Sequence, residues 1–319
     1  MTQVTCLEIC AGAGGQALGL EQSRFEPQAL VEIDKACCNT LRLNRPRWNV
    51  IEGDLKHFEG VSFKGIDLLA GGVPCPPFSK AGKQLGEADE RDLFPEALRL
   101  VDECQPRAVM LENVRGFLDP IFSDYRNSLK QRFEKMGYVV DWRLLNASDF
   151  GVSQLRPRVV IVAIKKDLSG NFIWPKPYLK NPRTIGTLLY DQMASRGWKC
   201  VDEWQQKANR IAPTIVGGSK KHGGPDLGPT RAKKAWANLG VDGMGIANEP
   251  PDKDFIGMPK LTVGMVARIQ GFPDEWHFYG KKTPAYRQVG NAFPPPVSQA
   301  VARKIYQCLT LKKIFSVAS

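Results

Sequence analysis

Histidine is scarce in this chain, three in 319 residues with no pair at ligand spacing, so a structural zinc site is not expected. Eight cysteines are present without regular spacing, Cys37 and Cys38 being adjacent, which fits reduced thiols better than a disulfide framework. No apolar run approaches the ~18–20 residues that cross a bilayer, and the N-terminal MTQVTCLEIC lacks the basic and long apolar regions of a signal peptide. Acidic residues are outnumbered, 33 Asp and Glu against 44 Lys and Arg, which leaves a net charge of +11. These deficits point to a globular, cytoplasmic protein with no membrane segment, no metal and a polyanionic partner. The basic excess is concentrated: between Lys180 and Lys234 there are eleven Lys or Arg against four Asp or Glu.

The N-terminal half reads as strands alternating with helices, with a polar residue at the end of one strand after another. Val4 to Ile9 is a short strand, AGAGG a turn, and a helix begins near Gln16. A strand, a glycine turn and a helix start let backbone approach a nucleotide-like cofactor closely. About twenty residues on, Glu32 and Asp34 in VEIDK stand at the tip of a second strand, where an acid binds ribose hydroxyls. Asp54, in IEGDLKHF, is placed to accept from an adenine amino group.

IDLLAGG is a buried strand running into GGVPCPPFSKAGKQ. Pro74 and Pro76 keep Cys75 out of helical conformation, on a stiff loop past the carboxyl end of a strand, where open α/β sheets keep their ligands. The following glycine-bearing polar stretch is expected to form a lid, turning helical near Leu93. Ala108 to Leu111 is a strand ended by Glu112 and Asn113. Tyr125 to Gly137 is an amphipathic helix, and YVVDWRLLNASDFG a strand into a turn. In QLRPRVVIVAIKKD, Gln154, Arg156 and Arg158 alternate into an apolar strand, which projects all three to one face.

Taken together, AGAGG, VEIDK, EGD, GGVPCPPFSKAGKQ, ENV, QLRPR, LTVGMVARIQGFPDEW and QVGNAFPPPV resemble, in this order, the motifs of the DNA (cytosine-5) methyltransferases of prokaryotic restriction-modification systems. The resemblance implies an α/β, Rossmann-like fold with a mostly parallel sheet, S-adenosyl-L-methionine as cofactor, and double-stranded DNA as partner. Carried over, Cys75 is the nucleophile that adds to cytosine C6 once the base is flipped out, Glu112 the acid at N3, and Arg156 and Arg158 the substrate-site arginines. Cofactor contacts fall on Cys10, Ala11, Gly12, Ala13, Gly14, Gly15, Glu32, Ile33, Asp54, Leu55, Pro74, Asn291 and Ala292. DNA contacts fall on Ser79, Gln84 and Thr214, the last because Thr214-Ile215 resembles the family's Thr-Leu pair. Lys220, Lys221, Arg231, Lys233 and Lys234 are expected phosphate contacts. Two departures stand out: Cys10 replaces the phenylalanine that packs on adenine, and Gly264 and Met265 stand where Arg and Glu are common.

The expected organisation is a discontinuous catalytic domain, 1–179 and 288–319, a loop-rich target-recognition domain, 180–259, and a hinge, 260–287. The implied enzyme is a monomer that protects host DNA from a restriction endonuclease encoded nearby and not bound to it. The alternatives are the tRNA-directed branch, whose Cys-Phe-Thr signature is absent here, and a catalytically inactive DNA-binding homologue, against which Cys75, Glu112, Arg156 and Arg158 argue.

Overall fold

The computed structural model describes residues 3–74, 92–218 and 224–311. Cys75, Ser79, Gln84, Lys220, Lys221 and most of the expected lid lie outside the described residues. A seven-stranded sheet has the order β3-β2-β1-β4-β5-β7-β6. Its strands are β1 (Val4–Ile9), β2 (Phe25–Glu32), β3 (Val50–Glu52), β4 (Leu68–Gly72), β5 (Ala108–Val114), β6 (Tyr138–Asn146) and β7 (Pro157–Lys165). The first five run parallel, and β7 enters antiparallel between β5 and β6. This is the α/β, Rossmann-like, mostly parallel arrangement expected from the sequence.

Alternate side chains of the central strands feed two cores, as a sheet covered on both faces requires. Leu7, Ile9, Leu69, Val109 and Leu111 face one core, with helices α3 (Phe94–Cys104) and α4 (Ser123–Lys135). Cys6, Leu68, Ala70 and Met110 face the other. There α10 (Pro295–Thr310) returns from the far end of the chain and packs beside α1 (Gly15–Glu21). Val297, Val301, Ile305 and Leu309, four residues apart, form its buried stripe, each worth ~1.5–3 kcal/mol. The prolines at its first turn cost nothing, since no intrahelical bond is due there.

A third core lies beside the sheet domain. It is built by α5 (Ile185–Ala194), α6 (Val201–Lys207), α7 (Thr230–Asn238), α8 (Val263–Gln270) and α9 (Lys282–Asn291), with Trp204, Trp236, Met265 and Trp276 buried in it. Among the described residues between Lys166 and Leu261, β-structure is confined to two bridges, Gln154 to Ala212 and Ala247 to Thr262. Met265 takes the place of the acid in a capping box: the Thr262 hydroxyl accepts from Met265 N–H (3.2 Å), and the Met265 sulfur accepts from Thr262 N–H (3.4 Å).

Two expectations are corrected here. β5 does not end at Leu111, because antiparallel pairing with β7 carries it to Val114, opposite Arg158. Glu112 therefore stands on the sheet rather than in a loop past it. The expected alternation of Gln154, Arg156 and Arg158 also fails, because β7 begins only at Pro157 and the two-residue period has no hold on the segment before it.

Candidate active site

The carboxyl ends of β1, β2, β3 and β4 open into a cleft of about 500 Å³, within the ~300–1,000 Å³ usual for small-molecule sites. Its first wall is the turn after β1, which contributes Cys10, Ala11, Gly12, Ala13 and Gly15. Gly14 is not on the wall but under it. Its φ is 88°, and a Cβ there would come within 2.7 Å of the Trp276 ring, whose N–H donates to the Ala13 carbonyl (3.2 Å). Only glycine suits that position. The turn is thus clamped by a side chain 263 residues away in sequence.

Glu32 and Ile33 form the next wall, followed by Asp54 and Leu55. One Glu32 oxygen accepts from Gly12 N–H (2.7 Å) and the other from Asp34 N–H (2.8 Å), so the acid joins two turns of the cleft. Burial raises its pKa. Ile33 is 65% exposed, an apolar face turned to the rim. Asp54 accepts from Lys56 N–H (3.0 Å) at the start of a short 3-10 turn. Asn291 and Ala292 close the cleft from the end of α9. Pro74, the residue before Cys75, also lines it.

Cys10 stands in the left-handed region, φ 51°, and its thiol pKa is raised by burial and the acids around it. Its small side chain leaves the cleft without an aromatic ring at that point, and no aromatic residue except Phe293 lines the cleft among the described residues. Burial also pushes the thiols of Cys6, Cys38 and Cys104 up, those of Cys38 to about 11 and Cys104 to about 12. None of these is a ready thiolate.

Glu112 reaches the same cleft from β5. Arg158 Nε donates to its Oε1 at 2.8 Å, with both side chains about 15% exposed. Burial is the largest influence on Glu112 and raises its pKa, with Arg158 and Arg156 opposing. A carboxyl oriented by a guanidinium and inclined to hold a proton is suited to give a hydrogen bond to a substrate ring nitrogen.

Arg156 goes elsewhere. It is fully buried, and donates from Nη1 to the Ile215 carbonyl (2.7 Å) and from Nη2 to the carbonyls of Gly290 (2.8 Å) and Ala292 (3.0 Å). It holds three chain segments together and does not share the target of Arg158. Gln154 serves the same joint, accepting from Ile215 N–H (2.8 Å) and donating to Gln270 (2.5 Å). The Thr214 hydroxyl donates to the Leu155 carbonyl. Gly217 crosses Gly290 so closely that a Cβ on Gly290 would lie 2.4 Å from the Gly217 Cα. Thr214 and Ile215 are therefore fastened to the segment that carries Arg156 and Arg158.

Of the expected phosphate contacts on α7, Arg231 and Lys234 are exposed, one helical turn apart. Lys233 is committed to Asp226 at 2.8 Å. Several cleft residues were not foreseen: Glu8, Gln16, Cys37, Arg287 and Gln288. Arg287 and Gln288 lie four and three residues before Asn291, one turn back on the same helix, a spacing that would have found them. Among the described residues, no group of three or more His, Cys, Asp or Glu is placed to hold a metal ion, and no helix is long and apolar enough to cross a membrane.

The model of the family described as C-5 cytosine-specific DNA methylase matches residues 4–307. This chain belongs to that family. The expected DNA cytosine-5 methyltransferase is thereby met. The enzyme is 57% identical over 310 residues to the Type II methyltransferase M.NgoMIV of Neisseria gonorrhoeae, spanning 96% of this chain and 98% of that protein. It is 56% identical over 319 residues to the Type II methyltransferase M.NaeI of Lentzea aerocolonigenes, spanning 98% of this chain and 77% of that protein. Among solved structures, a putative DNA modification methyltransferase encoded within a prophage of E. coli superposes with TM-score 0.68 at 22% identity, covering 97% of this chain and all of that one. Spodoptera frugiperda DNMT2 superposes with TM-score 0.66 at 19% identity, covering 95% and 99%. At these identities the structural likeness establishes the shared fold.

Proposed function

We propose that this methyltransferase acts on C5 of cytosine within a specific double-stranded DNA sequence, as a Type II modification enzyme that protects DNA from a cognate restriction endonuclease. The observation that carries the reading is that one cleft joins the glycine turn, Glu32, Asp54, Pro74 and Asn291 to Glu112 with its Arg158 partner. The residues fit the cofactor that the family uses: a positive-φ glycine turn, acids at successive strand ends, and apolar Ile33 and Leu55 for a ring. S-adenosyl-L-methionine bound there supplies an electrophilic methyl group.

Cytosine C5 is a poor nucleophile until something adds to C6, and Cys75, next to Pro74, is the group assigned to that addition. Glu112 hydrogen-bonds or protonates N3 and so offsets the charge that develops, leaving an enamine with electron density at C5. Arg158 fixes the Glu112 carboxyl through one oxygen and leaves the other for the base. After methylation, loss of the C5 proton and β-elimination free Cys75. A base within a duplex is out of reach of such a site, so the nucleotide is flipped out of the stack.

Residues 180–259 serve as the recognition region in this reading, 1–179 and 288–319 as the catalytic domain and 260–287 as the hinge. Arg231, Lys234, Lys220 and Lys221 contact phosphates, Ser79 and Gln84 contact DNA near the flipped base, and the Thr214 segment, held by Gln154 and Arg156, steadies the backbone there. Arg156 is then a positioning residue. The enzyme works as a cytoplasmic monomer, with no physical tie to the endonuclease. Methyl transfer from labelled cofactor should label duplex DNA and leave tRNA unlabelled. Labelling of tRNA with inert DNA would assign the chain to the tRNA-directed branch, and DNA binding without any transfer would make it an inactive homologue.

A further inference from the structure

Glu8 is the one member of β1 whose side chain conflicts with its surroundings. It is 1% exposed, stands between Leu30 of β2 and Ala70 of β4, and belongs to the wall of the cleft. Both carboxyl oxygens are sealed from solvent and make no hydrogen bond of ordinary geometry among the described residues, the nearby Ala17 amide being the one group that favours their charge. A carboxylate buried in this way costs several kcal/mol, which favours the protonated form of Glu8 in the free enzyme. Its pKa is accordingly raised well above the usual carboxyl value, by burial first and Glu32 second.

Among the described residues, no cation answers this acid. On its own strand it faces Cys6 and Cys10, and from β2 it faces Glu32. The helix above offers the neutral Gln16, whose amide N–H goes to the Met110 carbonyl (3.3 Å). Among the described residues, the remaining charged groups of the cleft are Asp34, Asp54, Glu112 and Arg287. The other acids have partners: Glu32 two backbone amides, Asp34 the start of α2 (Lys35–Asn44), Asp54 a backbone amide, Glu112 an arginine. Among the described residues, Glu8 is the one of these acids with no cation and no hydrogen bond of ordinary geometry, and the cleft is lined by five acids and one base.

We propose that Glu8 is the titrating counter-charge of the cofactor cleft. It gives up its proton to solvent when a cationic cofactor binds and holds that cation's charge as a carboxylate. The inference rests on the cleft being the site of S-adenosyl-L-methionine, whose sulfonium carries a charge that the neutral thioether of S-adenosyl-L-homocysteine lacks. Glu8 would thereby help the enzyme prefer fresh cofactor over spent product. The sign follows: a group protonated in the free enzyme and ionised in the complex makes binding tighter as pH rises, by at most tenfold per unit for one proton.

The test is isothermal titration of wild type, Glu8→Gln and Glu8→Asp with each of the two compounds, in buffers of different ionisation enthalpy and at several pH values. Wild type should release up to one proton on binding S-adenosyl-L-methionine, release less on binding S-adenosyl-L-homocysteine, and favour the former increasingly as pH rises. Glu8→Gln should bind with no buffer-dependent heat and a flat pH profile, and Glu8→Asp should retain proton release. Wild type that binds both compounds with no proton release, or Glu8→Gln that releases as much as wild type, would overturn the proposal while leaving the cofactor site intact. Failure of wild type to bind either compound would instead remove the cofactor reading itself. Should Glu8→Gln not fold, wild type and Glu8→Asp still decide.

Discussion

Replacing Arg156 by leucine separates the structural joint from the chemistry more sharply than any other single change. The guanidinium supplies the donors for the buried carbonyls of Ile215, Gly290 and Ala292. Ala292 would keep the Gln270 amide at 2.6 Å, but Ile215 and Gly290 would lose the donor shown for each. A buried group left without its partner costs ~1–3 kcal/mol, so the two together cost about 2–6 kcal/mol. Removing a buried guanidinium, whose Nε is itself unpartnered, returns some desolvation energy, but the carbonyls remain and dominate the balance. For a chain of this size ~1 kcal/mol corresponds to about 2 °C in Tm, which sets the expected loss at about 4–12 °C by scanning calorimetry. Lysine, with one compact charge in place of a planar fork, should recover only part of it. Methyl transfer at a temperature where Arg156→Leu remains folded should also fall, because Thr214 and Ile215 are no longer fixed against Leu155 and Gln154. A variant within about 1 °C of wild type, with unchanged turnover, would refute the idea that this arginine holds the segments together.

Glu112→Gln should slow the single-turnover methylation step by roughly 10²–10⁴-fold with little change in cofactor affinity; a rate within a few-fold of wild type would make the acid a bystander. Because burial raises the pKa of Glu8 in the folded state, the protonated acid favours folding below its unfolded value, and that contribution is lost as pH rises through the folded value. Glu8→Gln should therefore gain in Tm over wild type as pH rises from about 5 to about 9, whereas a constant difference would show that Glu8 does not titrate in the fold. Neutralising Lys220 and Lys221 together should weaken cognate and non-cognate DNA binding alike and lower the slope of log K against log salt by up to ~0.9 for each phosphate that these lysines no longer neutralise, with sequence preference retained.

Most of the cleft was legible in the sequence because its parts are local: a strand, a glycine turn and a helix start are neighbours in the chain wherever they occur. Asp54 and Glu32 followed from strand ends in the same way, whereas Asn291 came only from the resemblance of QVGNAFPPPV to the family's motif. What was illegible depended on distant partners. β5 is longer than its apolar run because β7, about fifty residues later, pairs with it through Val114. Arg156 and Arg158 look equivalent by alternation, yet one precedes its strand and turns to the carbonyls of two remote segments while the other meets Glu112. Trp276 beneath Gly14 left no local trace at the glycine turn. Glu8 did leave one, an acid within the otherwise apolar VTCLEI, but a single charge in a buried strand carries no direction until its neighbours are known.

The central claim is that Cys75 attacks cytosine in DNA from this cleft, and DNA carrying 5-fluorocytosine tests it directly, since fluorine at C5 cannot leave as a proton does. Incubation of that DNA and S-adenosyl-L-methionine with the wild-type enzyme, followed by proteolysis and mass spectrometry, should yield a covalent nucleotide adduct on the peptide containing Cys75, and none with Cys75→Ala. An adduct on another cysteine, or undiminished methylation by Cys75→Ala, would contradict the account.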